Sequence, residues 1–174
     1  MLQKCLTSTI LSSRIIKDVV VPLDSEDRAN VLIIDDSMFE RNRSKKVELL
    51  AKVYDHAKHT YRFGFRMLTL GWSDGSTFLP VNGILLSTEN EKNRINQAAS
   101  VDKRTIGYKR RKLFMKKGTS AMLSLLEAAR KAVIPAQYVL FDSWFSSPST
   151  LHAVKEIGYD VIGMVKKTPK MFFR

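Results

Sequence analysis

The stretch Val31-Leu32-Ile33-Ile34-Asp35-Asp36 places four apolar, mostly β-branched residues directly before two aspartates. An unbroken apolar run predicts a strand that is buried on both faces, with the acids at its carboxyl end. The segment from Tyr138 to Phe141 is a second apolar run, and Asp142 follows it. The carboxyl ends of neighbouring parallel strands meet at one edge of an α/β sheet, so we expect these acids in one crevice.

The segments around these two strands predict an α/β fold. Tyr61, Phe63, Phe65 and Met67 alternate with Arg62, Gly64 and Arg66, which indicates a half-buried strand with the aromatic side inward. The dipeptide Asp74-Gly75 predicts a hairpin turn into a second strand from Thr77 to Leu86. An antiparallel meander is therefore expected in the middle of the chain.

The last third of the chain predicts a strand–helix–strand unit. Apolar residues at helical spacing predict a helix over residues 119–133, capped by Thr119 or Ser120. Ser147-Pro148 supplies the start of a further helix, and Gly158 supplies its end. A strand from Val161 to Val165 follows, and the right-handed crossover makes it parallel to the strand at Tyr138.

Length and charge indicate the class of protein. The 174 residues suit one domain, and 29 Lys+Arg against 17 Asp+Glu give a net charge of +12. Cys5 is the only cysteine, which excludes a disulfide framework and a cysteine-rich zinc site. With no long apolar run or signal peptide in the sequence, we expect a soluble, basic protein with a polyanionic partner. Residues 1–30 are predicted to be a tether or the remnant of a preceding domain, and residues 31–174 the main domain.

The most basic part of the chain runs from Lys103 to Lys117, where eight Lys and Arg residues occur without an Asp or Glu. Such a run is either a solvated face or a phosphate-binding surface, and the lack of acids favours phosphate contact. The candidate contacts are Arg104, Lys109, Arg110 and Arg111. The aromatic residues Tyr108, Phe114, Trp144 and Phe145 are predicted to pack rather than to contact nucleotides.

The two strand-end acids indicate metal chemistry. An acid at a strand end often serves only as a turn or cap residue. Carboxylates that meet at one edge repel each other, however, and Mg²⁺ or Mn²⁺, which prefer oxygen ligands, relieve that repulsion. Divalent ions of this kind activate the attacking oxygen and stabilise the leaving one in phosphodiester displacement. A small acidic spot within a strongly basic chain is the combination expected for a nuclease or a transposase.

The chain resembles bacterial insertion-sequence transposases of the Asp-Asp-Glu class, in particular the insertion-sequence-4-like group. The similarity covers about residues 25–170. Its two specific blocks are Ile34-Asp35-Asp36-Ser37 and Tyr138-Val139-Leu140-Phe141-Asp142-Ser143-Trp144-Phe145. Further similar stretches are Arg41 to Lys46, Glu48-Leu49-Leu50, Thr69 to Gly75 and Asp102-Lys103-Arg104.

The resemblance implies a ribonuclease-H-like mixed sheet whose first three strands are antiparallel. It implies that Asp36 or Asp35, with Asp36 preferred, and Asp142 are catalytic, and that Asp36 and Asp142 hold Mg²⁺ or Mn²⁺. The implied reaction is cleavage of the donor DNA strand, followed by attack of the freed 3′-hydroxyl on target DNA. The implied partners are double-stranded DNA at the insertion-sequence ends and the target, and a second copy or a full-length relative. The implied location is the bacterial cytoplasm, in association with the nucleoid.

One family feature has no counterpart in the sequence. The third acid of the family lies in the pattern Tyr-x-x-Arg-x-x-x-Glu, well beyond the second aspartate. Tyr108 and Arg111 imitate its start, but position 115 is Met and the pattern precedes Asp142. After Asp142 the only glutamate is Glu156, which is too close. We therefore expect a partial transposase truncated at its C-terminus that is inactive as an isolated chain; the alternatives are a non-catalytic DNA-binding remnant that interferes with a full-length relative and a decayed product that barely folds.

Overall fold

The computed structural model describes residues 7–23, 28–55 and 57–164, and the centre of this part of the chain is one sheet of six strands. The strands are β1 (Val31–Glu40), β2 (Ala51–Asp55), β3 (Thr60–Ser73), β4 (Phe78–Leu86), β5 (Tyr138–Phe141) and β6 (Asp160–Gly163). The helices are α1 (Thr7–Ile15), α2 (Ile106–Phe114), α3 (Gly118–Lys131) and α4 (Pro148–Ile157), with short helical turns at Ile16–Val20, Val21–Leu23 and Glu91–Asn93.

The sheet combines antiparallel and parallel strands in the order β2-β3-β1-β5-β6, and β4 pairs with β3. β1 is antiparallel to β3 along its whole length and parallel to β5 over Val31–Ile33. β5 and β6 are parallel, and α4 connects them. The predicted α/β class, with a mixed sheet built from a meander and a parallel strand–helix–strand unit, is confirmed.

The turn and cap signals of the sequence form as predicted. The Asp74 carboxylate accepts a hydrogen bond from the backbone N–H of Ser76 at 2.8 Å, and Gly75 takes a φ of 92°, which closes the hairpin between β3 and β4. The Ser147 hydroxyl accepts from the backbone N–H of Thr150 at 3.2 Å and caps α4. Gly158 ends that helix with a φ of 99°.

One prediction about the elements before α3 is wrong, and two elements there were not predicted. β1 does not end before the acids: it continues to Glu40, because residues 34–40 pair with Gly64–Leu70 of β3. Asp35 and Asp36 therefore lie inside the strand. The two elements without a prediction are β2, which pairs with the first residues of β3, and α2, which packs against β4. Their polar composition hides them, since partners rather than local pattern stabilise them.

The inward face of β3 also differs from the prediction. Tyr61 and Phe63 are exposed, and the main core is lined by Leu68, Leu70 and Trp72, which share the side of Arg66. Phe65 is buried on the opposite side, in a separate cluster with two leucines (Leu49 and Leu50). The long strand thus buries different faces at its two ends, because each end meets different neighbours.

Helix α3 covers the main core. Its buried residues are Ala121, Met122, Leu125, Leu126 and Ala129, which confirms the helical spacing seen in the sequence. The helix begins one residue early, at Gly118, so neither Thr119 nor Ser120 is its cap; Lys117 holds that position without a side-chain hydrogen bond. β6 starts at Asp160 and ends at Gly163, and Val165 lies outside the described residues.

The segment before β1 packs on the domain. Ile16 is fully buried in the main core, and the Ser13 hydroxyl donates to the Ala132 carbonyl at 2.8 Å. The apolar residues Ile10 and Leu11 of α1 face outward, with 39% and 60% of their surface exposed. The division into residues 1–30 and 31–174 stays a prediction. Among the described residues, no helix is both long and apolar enough to cross a membrane.

Candidate active site

The site lies where two neighbouring strands of the sheet diverge. The parallel pairing of β1 with β5 stops at the pair Ile33 and Leu140. β5 ends one residue later, while β1 continues beside β3 to Glu40. Asp142 therefore leaves the sheet at the level where β1 carries its two aspartates.

The two aspartates of β1 face opposite sides of the sheet, because side chains alternate along a strand. Asp36 shares the side of the buried residues Leu32 and Ile34, and its side chain is 13% exposed. Asp35 is exposed on the other side, where its backbone carbonyl accepts a hydrogen bond from the Thr69 hydroxyl at 3.3 Å. The core-facing side of the sheet thus carries Asp36 at the margin of its apolar residues.

Arg66 of β3 connects the two acids. Its guanidinium forms an ion pair with the Asp36 carboxylate, and its side chain is 21% exposed. Burial lowers the pKa of Arg66 from its ordinary value, and the negative charge of Asp142 acts in the opposite direction. The guanidinium also lies 5.1 Å from the centre of the Trp144 ring. One cation therefore interacts with Asp36, Asp142 and Trp144.

The loop after β5 holds Asp142 in a defined conformation. Its carboxylate Oδ1 accepts from the backbone N–H of Trp144 at 2.9 Å, and its carbonyl accepts from the backbone N–H of Phe145 at 3.2 Å. The Ser146 hydroxyl donates to the same carbonyl at 3.2 Å. Phe145 is 1% exposed in the main core, as predicted, and anchors the loop. The carboxylate is thus oriented by the chain segment that follows it.

An open cleft extends from this cluster. Its lining includes Trp144, three cations (Arg66, Lys116 and Lys117) and one acid (Glu89). Helix α3 begins directly after Lys117, so its first backbone N–H groups lie at the same wall. Cationic side chains and a helix start are suited to a phosphate-bearing strand.

Helix α2 carries the most basic surface of the described chain. Arg104, Lys109 and Arg110 are exposed, as a phosphate contact requires. Arg111 differs, because its Nη2 donates to the Glu48 carboxylate at 2.8 Å and its Nε donates to the same group. The hydrogen bond from Arg111 lowers the pKa of Glu48. The predicted contacts therefore divide into three solvent-facing cations and one cation held by an acid of its own chain.

The acid pair meets part of what a hard divalent cation requires. Carboxylate oxygens are the ligands that Mg²⁺ and Mn²⁺ prefer, and both ions commonly complete their coordination with water and phosphate oxygens. Arg66 already attracts both acids, which marks the spot as one that favours positive charge. Within residues 7–23, 28–55 and 57–164, no group of three or more acids, histidines or cysteines that could hold a metal is found. Asp36 and Asp142 supply the oxygen donors that such an ion prefers.

Sequence reasoning found the acids but missed the cations that surround them. Arg66 was noted only as a position on the face opposite the aromatic residues of β3. Lys116 and Lys117 were counted in the basic run but not selected as contacts. Trp144 was expected to pack, yet it is 46% exposed beneath Arg66. The available signal for Arg66 was its spacing of two from Leu68, which places it on the core-facing side.

Comparison with known proteins identifies the family. The model of the DDE superfamily endonuclease family matches residues 3–174. A search of curated proteins found no match. A search of solved structures found a piggyBac transposase synaptic complex with hairpin DNA, at 15% sequence identity and a TM-score of 0.43. That similarity covers 80% of this chain and 24% of the transposase chain, so the chain spans about a quarter of that protein's length. On the family match over nearly all of its residues, the chain belongs to the DDE superfamily endonucleases.

Proposed function

We propose that this chain is the metal- and DNA-binding part of a transposase, and that Asp36 and Asp142 hold Mg²⁺ or Mn²⁺. Membership of the DDE endonucleases supports divalent metal chemistry on DNA. The observation that carries the proposal lies at the point where β1 and β5 diverge: Arg66 pairs with Asp36 and lies 5.1 Å from the Trp144 ring, and the backbone N–H of Trp144 holds the Asp142 carboxylate. On the stretches given in the sequence analysis, we place the chain in the insertion-sequence-4-like group.

The geometry favours Asp36 over its neighbour Asp35. Asp36 is on the side of the sheet where Arg66 lies, and Arg66 also interacts with Asp142. Asp35 is exposed on the opposite side of the strand. Two carboxylates hold one ion only when their oxygens reach a common point, so the side that both acids share with Arg66 is the better choice.

In the proposed reaction the chain's own residues bind and orient. A divalent ion at such a site lowers the barrier to phosphodiester cleavage by activating water and stabilising the leaving oxygen. Asp36 is held in position by the pairing of β1 with β3. The hydrogen bond from the backbone N–H of Trp144 orients the carboxylate of Asp142. Lys116 and Lys117 in the cleft hold the DNA phosphates beside these acids.

The basic surface supplies the wider DNA contact. Arg104, Lys109 and Arg110 are exposed on and beside α2, which leads along the chain to Lys116 and Lys117 in the cleft. We infer that duplex DNA lies along these cations and that one strand enters the cleft. The DNA partners are the insertion-sequence ends and the target, which would place the protein in the bacterial cytoplasm at the nucleoid.

The sequence offers two acids of the family's three, since no Tyr-x-x-Arg-x-x-x-Glu pattern follows Asp142. We propose that strand transfer needs a third acid beside Asp36 and Asp142. Pairing with a second copy or with a full-length relative is the proposed setting for activity, and a non-catalytic DNA-binding role is the alternative.

The experiment compares the two neighbouring aspartates by calorimetric titration with Mn²⁺. We expect Asp36→Asn to weaken Mn²⁺ binding by about 100-fold or more, because a direct ligand is lost, and Asp35→Asn to leave it within about twofold. The two variants remove the same charge from adjacent positions of one strand, so general electrostatics cannot explain a difference. Equal Mn²⁺ affinity in both variants would overturn the assignment of Asp36.

A second titration separates DNA binding from metal binding. We expect duplex DNA to bind with an affinity that falls steeply with salt, because exposed cations displace counterions. Salt-sensitive DNA binding with no Mn²⁺ binding by the wild-type chain would favour the non-catalytic remnant over a metal-binding domain. Metal-dependent strand transfer by this chain alone would contradict the expected need for a third acid.

A further inference from the structure

Arg66 places a positive charge directly beside Asp36, the first of the two proposed metal ligands. The Arg66 guanidinium forms an ion pair with the Asp36 carboxylate and lies 5.1 Å from the ring of Trp144, whose backbone N–H holds Asp142. The Asp36 and Arg66 side chains are only 13% and 21% exposed, so water screens their interaction weakly. Arg66 thus occupies the electrostatic role that a divalent ion would take.

A guanidinium and a divalent ion cannot both use the same carboxylate oxygens. The guanidinium donates hydrogen bonds to the lone pairs that would coordinate the ion, and the two cations repel each other. Binding of the ion is therefore coupled to removal of Arg66 from Asp36. The energy of that exchange weakens the apparent metal affinity of the chain, because part of the binding energy is used to break the ion pair.

The cleft provides the place to which Arg66 moves. Arg66 itself lines the cleft together with Trp144, Lys116 and Lys117. The Trp144 ring already lies against the guanidinium and offers it an apolar support outside the acid pair. A DNA phosphate held by Lys116 and Lys117 would attract the released guanidinium as a new bidentate partner.

We propose that Arg66 competes with a divalent ion for the Asp36 carboxylate, and that it exchanges to a DNA phosphate in the cleft when the ion binds. Metal and DNA then strengthen each other's binding through Arg66, since each stabilises the exchanged position. This inference rests on the proposed function, because it takes the acid pair as the metal site. Arg66 is a positioning residue here, acting through the acids and the phosphate.

The test measures Mn²⁺ affinity with and without a short DNA duplex in three variants. Arg66→Gln keeps a hydrogen-bonding group beside Asp36, and Arg66→Met keeps the packed length without the charge. Arg62→Gln is the matched control: it removes the same charge from the same side of β3, four residues earlier, where Arg62 is opposite Val53 of β2. Thermal unfolding shows whether each variant folds. If Arg66→Met does not fold, the comparison with wild type uses Arg66→Gln.

Without DNA, we expect both Arg66 variants to bind Mn²⁺ about tenfold more tightly than wild type, and Arg62→Gln to bind within about twofold of it. With DNA, we expect the wild-type affinity for Mn²⁺ to rise about tenfold, while the Arg66 variants change little because the coupling residue is gone.

The outcomes separate this inference from the proposed function. If Asp36→Asn abolishes Mn²⁺ binding but the Arg66 variants bind Mn²⁺ no more tightly than wild type, the proposed role of Arg66 is overturned and the proposed metal site is retained. Arg66 variants that lose DNA affinity without any change in Mn²⁺ affinity make Arg66 a plain phosphate contact and also overturn it. Absence of Mn²⁺ binding in the wild type and in both Arg66 variants overturns the metal site together with the inference.

Discussion

Two arginine–carboxylate pairs of this protein, Arg111–Glu48 and Arg66–Asp36, use the same chemistry for different ends. The Glu48 carboxylate accepts two donors from Arg111 and a third from the backbone N–H of Ala99 at 2.7 Å. These contacts join α2 and the segment before it to the loop between β1 and β2. With three donors from its own chain, Glu48 has little capacity left for an external ligand.

The second pair, Arg66–Asp36, lies where β1 and β5 diverge and has a different ratio of acids to arginine. Arg66 faces two acids, Asp36 and Asp142, so the cluster keeps a surplus of negative charge. A carboxylate matched one to one by its own arginine stabilises the fold, whereas two carboxylates that share one arginine still attract a cation. The number of acids per arginine, rather than the presence of an ion pair, therefore distinguishes the candidate site from a structural contact.

The largest expected difference between the pairs is in metal affinity. Asp142→Ala is expected to weaken Mn²⁺ binding by about 100-fold, since one of the two proposed ligands disappears. Glu48→Gln should change it by less than about twofold, because Glu48 is already occupied by donors of the chain. Calorimetry with Mn²⁺ measures both. Similar losses in the two variants would remove the distinction between the pairs.

DNA binding sharpens the contrast between free and paired cations on α2. We expect replacing both Lys109 and Arg110 by Gln to weaken duplex binding about tenfold and to reduce the slope of log K against log salt by about 2. Arg111→Gln should change that slope by less than one unit, because Glu48 already neutralises Arg111. Fluorescence anisotropy at several salt concentrations gives the slopes. A full unit lost in Arg111→Gln would make Arg111 a phosphate contact, as the sequence suggested.

Acid stability tests the structural pair. The hydrogen bond from Arg111 lowers the pKa of Glu48 below its ordinary value of 4.5, so the folded state favours the ionised form. That contribution is present above pH 4.5 and is lost as the pH falls through the lowered pKa. Urea midpoints at neutral pH and at about pH 3 should therefore fall less for Glu48→Gln than for wild type. Some acid sensitivity should remain, because backbone hydrogen bonds also lower the pKa of Asp74. Equal falls would show that the pair contributes nothing.

The smallest effect concerns the indole beside Arg66. If Mg²⁺ shifts the guanidinium from Asp36 along the Trp144 ring, the emission of this half-exposed tryptophan should change slightly on titration, while fully buried Trp72 should not respond. Trp144→Phe is expected to abolish the change without altering Mg²⁺ affinity by more than about twofold. A signal that persists in Trp144→Phe would place the motion elsewhere.

Local sequence signals predicted the elements whose ends are determined by capping or turn residues. Ser147, Pro148 and Gly158 determine α4 through short-range caps, and Asp74-Gly75 determines the hairpin, so both formed as expected. β2 and the second half of β1 are stabilised by pairing with β3 instead. Pairing between residues far apart in the sequence produces no local sequence pattern, so these strand segments were not predicted.

The site shows the same division. The order of apolar run and acid pointed to Asp36 and Asp142, because strand ends gather at one edge of a sheet. The spacing of Arg66 from Leu68 indicates its face of β3, but its position opposite Met38 and near Asp36 depends on the register between β1 and β3. The sequence also predicted that the aromatic side of β3 is buried, whereas near Arg66 the opposite side faces the main core. Partners of an acid are determined by register, and register is a tertiary property.

The pairing of β1 on both sides has a consequence for hydrogen exchange. Val31–Ile33 are flanked by β3 and β5, and the strand stays paired with β3 past Asp36. Amides of this region are expected to exchange only on global unfolding, whereas Asp142 follows a strand of four residues and is held by a local turn. The two acids thus belong to regions of different local stability. Mild destabilisation should open the loop that carries Asp142 while Asp36 remains in place, so the site is lost before the sheet is.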